Sequence, residues 1–197
     1  MAQDSSRPEF WESRYRDGVI PWDAGKVPES LAGFARTLVP GARVLIPGCG
    51  SAYEAAYLAQ NKYQVLAIDF SPAAIAAARR TLGDRADIAR LADFFADDLG
   101  EPFDVIYERA FLCALPRRMW ERWAERTSAL LHPGGALAGF FFFDDNERGP
   151  PFGVSATRLG ELLQPHFALE SSVEIAPAES VAVFKGKERW QVWRRKL

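Results

Sequence analysis

The strongest constraint on this chain is a rhythm of short apolar runs, each stopped by a turn residue or an acid. Val44-Leu45-Ile46 stops at Pro47-Gly48, and Val65 to Ile68 stops at Asp69. A weaker run lies near Ile88 to Leu91, followed by Phe103 to Tyr107 (FDVIY) and Ala136 to Phe143. The intervening spacing is helical. One helix is expected from about Ala52 to Gln60. Ser71-Pro72 caps an alanine-rich one to about Leu82. Pro116 opens an amphipathic one to about Leu131, closed by His132-Pro133-Gly134-Gly135. Near-continuous apolar strands alternating with helices mean a parallel sheet covered on both faces.

The two ends depart from this rhythm. At the start, Ser5 or Ser6 is positioned to cap a helix that tolerates Pro8 in its first turn. Phe10, Trp11 and Tyr15 fall at helical spacing, and Gly18 stops the run. Ile20 to Gly25 (IPWDAG) reads as a loop. Pro28 opens a second helix with Leu31, Phe34, Ala35 and Leu38 on one face, ended by Pro40-Gly41. In the tail, a helix at Thr157 to Gln164 precedes strand-like stretches at Phe167 to Ile175, Ser180 to Phe184 and Arg189 to Arg194. Their links are too short for a crossover helix, so at least one tail strand runs antiparallel.

Length and charge narrow the function classes. The 197 residues suit one domain. Lys plus Arg number 24 against 26 Asp plus Glu, so the basic excess of a phosphate-binding surface is missing, and no nucleic-acid partner is expected. Two cysteines, Cys49 and Cys113, make no disulfide framework. There is no CxxC or HExxH, and His132 and His166 lie far apart, so no metal is expected. The N-terminus has the character of neither a signal nor a transit peptide, and the longest apolar run is too short to span a bilayer. The expectation is a monomer of a reducing cytoplasm, without membrane contact.

In an open α/β sheet, ligands bind beyond the carboxyl ends of the strands. After the first strand, Gly48-Cys49-Gly50 allows a tight turn and close approach to a ligand, with the next helix offering free N–H groups to an anion. The same residues also serve as a plain strand-to-helix turn. Asp69 lies 19 residues past Gly50. Its carboxylate suits the two hydroxyls of an adenosine ribose, and also the dipole of the helix that follows. A dinucleotide fingerprint requires a small residue where this chain has Tyr53. Together with an antiparallel final strand, that moves the weight to S-adenosylmethionine. After the third strand, Asp93 is placed to accept from an adenine amino group and Phe94 to pack on the ring. Paired phenylalanines such as Phe94 and Phe95 are also ordinary core. After the fourth strand, Arg109 can hold an anionic group or form a salt bridge. Cys113 reads as a small buried hydrophobe, with no histidine near it in sequence.

Together these residues resemble the thiopurine S-methyltransferase family of class I methyltransferases, most closely its thiol and halide methyltransferase branch. The resemblance covers nearly the whole chain. It is carried by Trp11-x-x-x-Tyr15-x-x-Gly18-x-x-x-Trp22-Asp23-x-Gly25, by Val44 to Gly50 (VLIPGCG), by Asp69 and by Asp93-Phe94-Phe95. The segment ending FLCALP, Gly149-Pro150-Pro151-Phe152 and Gly186-Lys187-Glu188-Arg189 extend it. It implies that Trp11, Tyr15 and Trp22 close over the cofactor, where aromatic faces attract a sulfonium cation by about 0.5–2 kcal/mol. The same rings also serve to staple the N-terminal helix to the sheet. The family usually has a tryptophan at the Tyr15 position. The halide branch commonly has a tyrosine at the Arg109 position, and the bacterial thiopurine branch an arginine there.

The resulting expectation is one α/β domain over residues 1–197. It is a doubly wound, mostly parallel seven-stranded sheet with an antiparallel final strand, and residues 1–40 form a helical cover. Its reaction is methyl transfer from S-adenosylmethionine, leaving S-adenosylhomocysteine, to a small soft nucleophile. A thiol or hydrosulfide leads, ahead of thiopurines, halides and selenium or tellurium species. Gly48, Gly50, Asp69, Asp93, Phe94, Trp11, Tyr15, Trp22 and Arg109 are the expected cofactor residues, with Arg109 also at the reacting end. Phe111, Phe143 and Phe152 are placed either to shape an apolar pocket or to fill core. A dinucleotide-dependent enzyme and a non-catalytic binder of the same cofactor are the alternatives.

Overall fold

A computed structural model describes residues 4–197. Seven strands form one sheet: β1 (Arg43–Pro47), β2 (Gln64–Asp69), β3 (Ala89–Leu91), β4 (Phe103–Arg109), β5 (Leu131–Phe142), β6 (Phe167–Glu174) and β7 (Glu188–Arg195). Their spatial order is β3-β2-β1-β4-β5-β7-β6. The pairs from β3 through β5 are parallel, whereas β7 runs antiparallel to both β5 and β6.

Among the described residues six α-helices accompany the sheet: α1 (Pro8–Arg16), α2 (Glu29–Ala35), α3 (Tyr53–Gln60), α4 (Pro72–Leu82), α5 (Trp120–Leu130) and α6 (Ala156–Leu163). The strands alternate between two buried faces. Leu45, Ile106 and Leu137 join a core with Trp120 and Trp123 of α5 and Leu159 of α6. Val44, Val105 and Ala136 join another with Leu31 of α2, Leu58 of α3 and Ile75 of α4. Both faces of the central strands β1 and β4 are covered, so those strands carry no exposed polar alternation. Ser71 caps α4 by accepting from the Ala74 N–H at 3.2 Å, with Pro72 behind it.

Four local expectations are corrected. Neither Ser5 nor Ser6 caps α1. Its N-cap is Arg7 with no side-chain bond, because the Ser6 hydroxyl donates to Asp4 at 2.8 Å. The helix expected from Pro116 begins at Trp120, after a 3-10 turn at Arg117–Met119. The following His132-Pro133-Gly134-Gly135 is not a helix end. It is a bulged excursion within β5, whose Leu131 already pairs with Phe103 before the ladder resumes at Val105 and Ala136. The Ser180 to Phe184 stretch is no strand. It turns through 3-10 segments at Pro177–Glu179 and Ala182–Phe184, and Glu188 accepts from Ser180 Oγ and from the Val181 N–H. Its apolar side chains Val181 and Phe184 instead pack with Cys113 and Phe142.

No helix among the described residues is long and apolar enough to cross a membrane. No group of His, Cys, Asp or Glu among them is placed to hold a metal ion.

Candidate active site

A cavity of about 760 Å³ opens at the carboxyl ends of β1, β2, β3 and β4. Trp11, Tyr15, Trp22, Gly48, Gly50, Asp69, Asp93, Phe94 and Arg109 all line it. The floor is the loop after β1. Gly48 and Gly50 take φ of 61° and 51°, the left-handed region that glycine enters freely. A Cβ at Gly48 would meet the Phe111 ring at 2.7 Å. The loop is therefore packed from above as well as set in a backbone conformation that favours glycine.

Asp69 ends β2 with 8% of its surface exposed. Its two oxygens are held apart in role. Oδ2 accepts from the Gly50 N–H at 3.3 Å, and Oδ1 accepts from the Ser71 N–H at 2.9 Å. Burial raises its pKa to about 6, against the pull of those backbone donors. Beyond β3, Asp93 Oδ1 accepts from the Phe95 N–H at 2.7 Å, which fixes the turn. Phe94 is buried and meets both Phe95 and Phe111 edge-on, at 5.1 and 5.2 Å. It both belongs to the core and lines the cavity.

The N-terminal segment closes the opposite side. Trp22 meets Trp11 and Tyr15 edge-on, with centroids 5.2 and 6.2 Å apart. Trp22 Nε1 donates to the Tyr15 hydroxyl at 3.4 Å, and Trp11 Nε1 to the Ser5 carbonyl at 2.8 Å. Burial pushes the Tyr15 phenol well above its ordinary pKa, so the ring stays neutral. Polar ties fasten this segment to the body. Glu12 accepts from Ser71 Oγ at 2.7 Å and from the Ala73 N–H at 2.8 Å. Asp23 accepts from Ser51 Oγ. Arg118 donates to Asp4 at 2.9 Å and to Ser6 at 2.9 Å.

At the end of β4, Arg109 is largely engaged. Its Nε stands 3.8 Å from Glu54 Oε1, its Nη2 donates to the Glu179 carbonyl at 3.0 Å, and its guanidinium lies 4.3 Å from the Phe140 ring centre. The salt-bridge reading of Arg109 is realised, and the side chain still lines the cavity. Burial raises the Glu54 carboxyl while Arg109 draws it down. Cys113 is buried and burial raises its thiol well above the usual range, so it is no thiolate at neutral pH.

Of the three phenylalanines proposed for the pocket wall, Phe111 lines the cavity. Phe143 and Phe152 pack against the core on the α5 and α6 face instead. Sequence reasoning missed Glu54, which lines the cavity from the first turn of α3, and Val183 and Phe184 from the tail. Glu54 lies four residues past Gly50, a spacing that places a side chain beside the loop, but an acid in a first helical turn is usually read as dipole compensation.

Comparisons with known proteins show what the chain is similar to. The family model described as "Thiopurine S-methyltransferase (TPMT)" matches residues 6–196. A "Probable thiol methyltransferase 2" of Arabidopsis thaliana is 31% identical over 201 residues, covering 99% of this chain and 88% of that protein. A "Thiopurine S-methyltransferase" of Azotobacter vinelandii is 29% identical, covering 96% of this chain and 93% of that protein. Among solved structures, the Burkholderia thailandensis 1,6-didemethyltoxoflavin-N1-methyltransferase shares the fold. Its TM-score is 0.75 at 21% identity, covering 96% of this chain and 87% of that one.

Proposed function

The chain belongs to the thiopurine S-methyltransferase family, and from that premise we propose how its cavity divides the work. The protein is an S-adenosylmethionine-dependent methyltransferase that acts on a soft nucleophile. The residues fit that cofactor. Glycine occupies the two loop positions where a side chain would collide, and a buried carboxylate stands beside them. In our reading Asp69 takes the ribose hydroxyls. Asp93 and Phe94 hold the adenine, the Gly48–Gly50 backbone carries the middle of the molecule, and Trp11, Tyr15 and Trp22 cover it. Arg109 stands at the reacting end. The observation that carries this reading is that all of these side chains line one cavity.

When bound, S-adenosylmethionine supplies an electrophilic methyl group whose leaving group is a neutral thioether. The chain's own residues align the acceptor and exclude water. The aromatic cover shields the cavity and presents ring faces to the positive sulfonium. Arg109 adds a buried cation near the acceptor and favours its anionic form. Glu54 keeps that guanidinium in place. No general base is needed for an acceptor that ionises near neutral pH.

We take the acceptor to be a small thiol or hydrosulfide, with thiopurines, halides and selenium or tellurium species as the neighbouring classes. The branch names of the relatives support this range: thiol, thiocyanate and thiopurine methyltransferases all match. We also take the protein to act as a single domain and a monomer in a reducing cytoplasm, its two cysteines free and buried.

The test is methyl transfer from labelled S-adenosylmethionine to hydrosulfide, thiocyanate, iodide, an aryl thiol, 6-mercaptopurine and selenite, with Asp69→Ala as control. Methylation of a sulfur acceptor, lost in the variant, is the expected result. Selective methylation of iodide or selenite would overturn the acceptor class. Silence across the panel, with cofactor binding intact by calorimetry, would favour the non-catalytic reading.

A further inference from the structure

Glu108 is an acid in the interior of the sheet that the reaction described above does not use. It is 2% exposed, in β4, one residue before Arg109. Its Oε1 accepts two backbone bonds, from the Phe111 N–H at 2.9 Å and from the Leu112 N–H at 3.0 Å. Those donors open the 3-10 turn at Leu112–Ala114, whose first N–H groups have no partner inside the turn. Between acid and donors the chain reverses at Ala110, with φ of 57°. An alanine holds that left-handed conformation only where its surroundings impose it. Across the ladder, Glu108 pairs with Gly139, where an added Cβ would stand 1.8 Å from the Glu108 carbonyl oxygen. The backbone at Glu108 is thus pinned from β5 while its side chain reaches forward over the turn.

What the turn carries is the cavity wall. Phe111 lies over Gly48 of the loop after β1 and against Phe94 of the loop after β3. Arg109 and Ala110 also line the cavity. We propose that Glu108 is a positioning residue for methyl transfer: its carboxylate staples the turn after β4, and so sets Phe111 against the cofactor loop and Arg109 at the reacting end. The proposal rests on the methyl-transfer reading and goes beyond it.

The surroundings of the carboxylate are otherwise apolar or neutral. Phe140 and Phe142 of β5 face the small void beside it, with Phe152 and Val154 from the following loop. Cys113 on the turn and Tyr107 on the same strand are held neutral by burial. Glu188 of β7 faces Cys113, and burial raises its carboxyl too. Arg109 turns toward Glu54. Among the described residues no cation is paired with it, and burial lifts the Glu108 carboxyl to about 7. An ionised acceptor holds backbone donors more tightly than a neutral one. The staple therefore tightens as pH rises through that value.

The experiment compares Glu108→Gln, Glu108→Ala and the wild type, measuring S-adenosylhomocysteine affinity by calorimetry from pH 5.5 to 8.5 and methyl transfer to the best acceptor. Gln keeps an Oε1 for both donors, so it is expected to stay within about threefold of the wild type, whereas Ala loses about tenfold or more in affinity and kcat. The wild-type affinity rises in two steps, one from Asp69 near 6 and one near 7. The upper step disappears in Glu108→Gln and the lower one remains. Should Glu108→Ala fail to fold, the pH profile of Glu108→Gln decides alone. An unchanged upper step, or an alanine variant that folds and matches the wild type, overturns the proposal. Absence of methyl transfer by the wild type would strike the reaction, and the calorimetric arm would still test the staple.

Discussion

The hydroxyl of Tyr15 closes directly over Gly50: a Cβ built on that glycine would stand 2.5 Å from the tyrosine oxygen. One residue belongs to the N-terminal helix and the other to the turn after the first strand. Their contact makes the cover and the floor of the cavity a single unit.

Gly50→Ala should weaken S-adenosylhomocysteine binding about tenfold. The left-handed φ of 51° alone costs an alanine ~1–2 kcal/mol, and the tyrosine must also move. Tyr15→Phe removes the colliding oxygen. In calorimetry, the double variant should recover part of the loss. Equal losses in the single and double variants would assign the whole effect to backbone strain.

Asp69 gives a pH dependence with a definite sign. Its folded pKa is raised from 3.8 to about 6, so the folded state binds the proton more tightly than the unfolded chain. The associated stability is fully present below about pH 4 and is lost as pH rises to about 6. Asp69→Asn should therefore flatten the stability curve over that window in urea titrations. Cofactor affinity should move the other way, rising through pH 6 as the carboxylate forms to accept from hydroxyl groups.

Arg109 and Glu54 form a buried pair, 8% and 14% exposed in their side chains. Arg109→Met leaves Glu54 without its neighbouring cation, and breaking such a pair costs about 3–5 kcal/mol. Protonation of the already raised Glu54 carboxyl limits the loss. The double variant Glu54→Gln, Arg109→Met should regain stability relative to Arg109→Met in denaturant unfolding, while turnover with an anionic acceptor stays low.

Trp22 is the hinge of the aromatic cover, touching both Trp11 and Tyr15. Trp22→Ala should reduce the affinity for the sulfonium cofactor more than that for the neutral thioether product. The difference tests attraction between ring and cation, expected at about 0.5–2 kcal/mol. Equal losses would reduce the role of the ring to shape.

Much of this site was legible in the sequence because strand ends and turn residues are local features. The stops at Pro47-Gly48, at Asp69 and before Asp93 marked where β1, β2 and β3 deliver their loops, and those loops share one cavity. Glu54 and Glu108 were not legible as parts of it. Each is an acid in an ordinary local setting, and each gains its meaning from burial and from a partner that folding supplies.

The sequence by itself determined the alternation of parallel strands and helices, since residues buried on both sheet faces leave an apolar run that needs no partner to be recognised. It also placed the glycine turn and the acids at the carboxyl ends, because φ freedom and chain order are properties of the residues themselves. Only the tertiary structure decided that His132 to Gly135 bulges within β5, that Ser180 to Phe184 turns beneath Phe142, and that Glu179 holds Arg109 across 70 residues of chain. Those outcomes depend on register and on competition for backbone donors between distant segments, and periodicity along one chain carries no record of either.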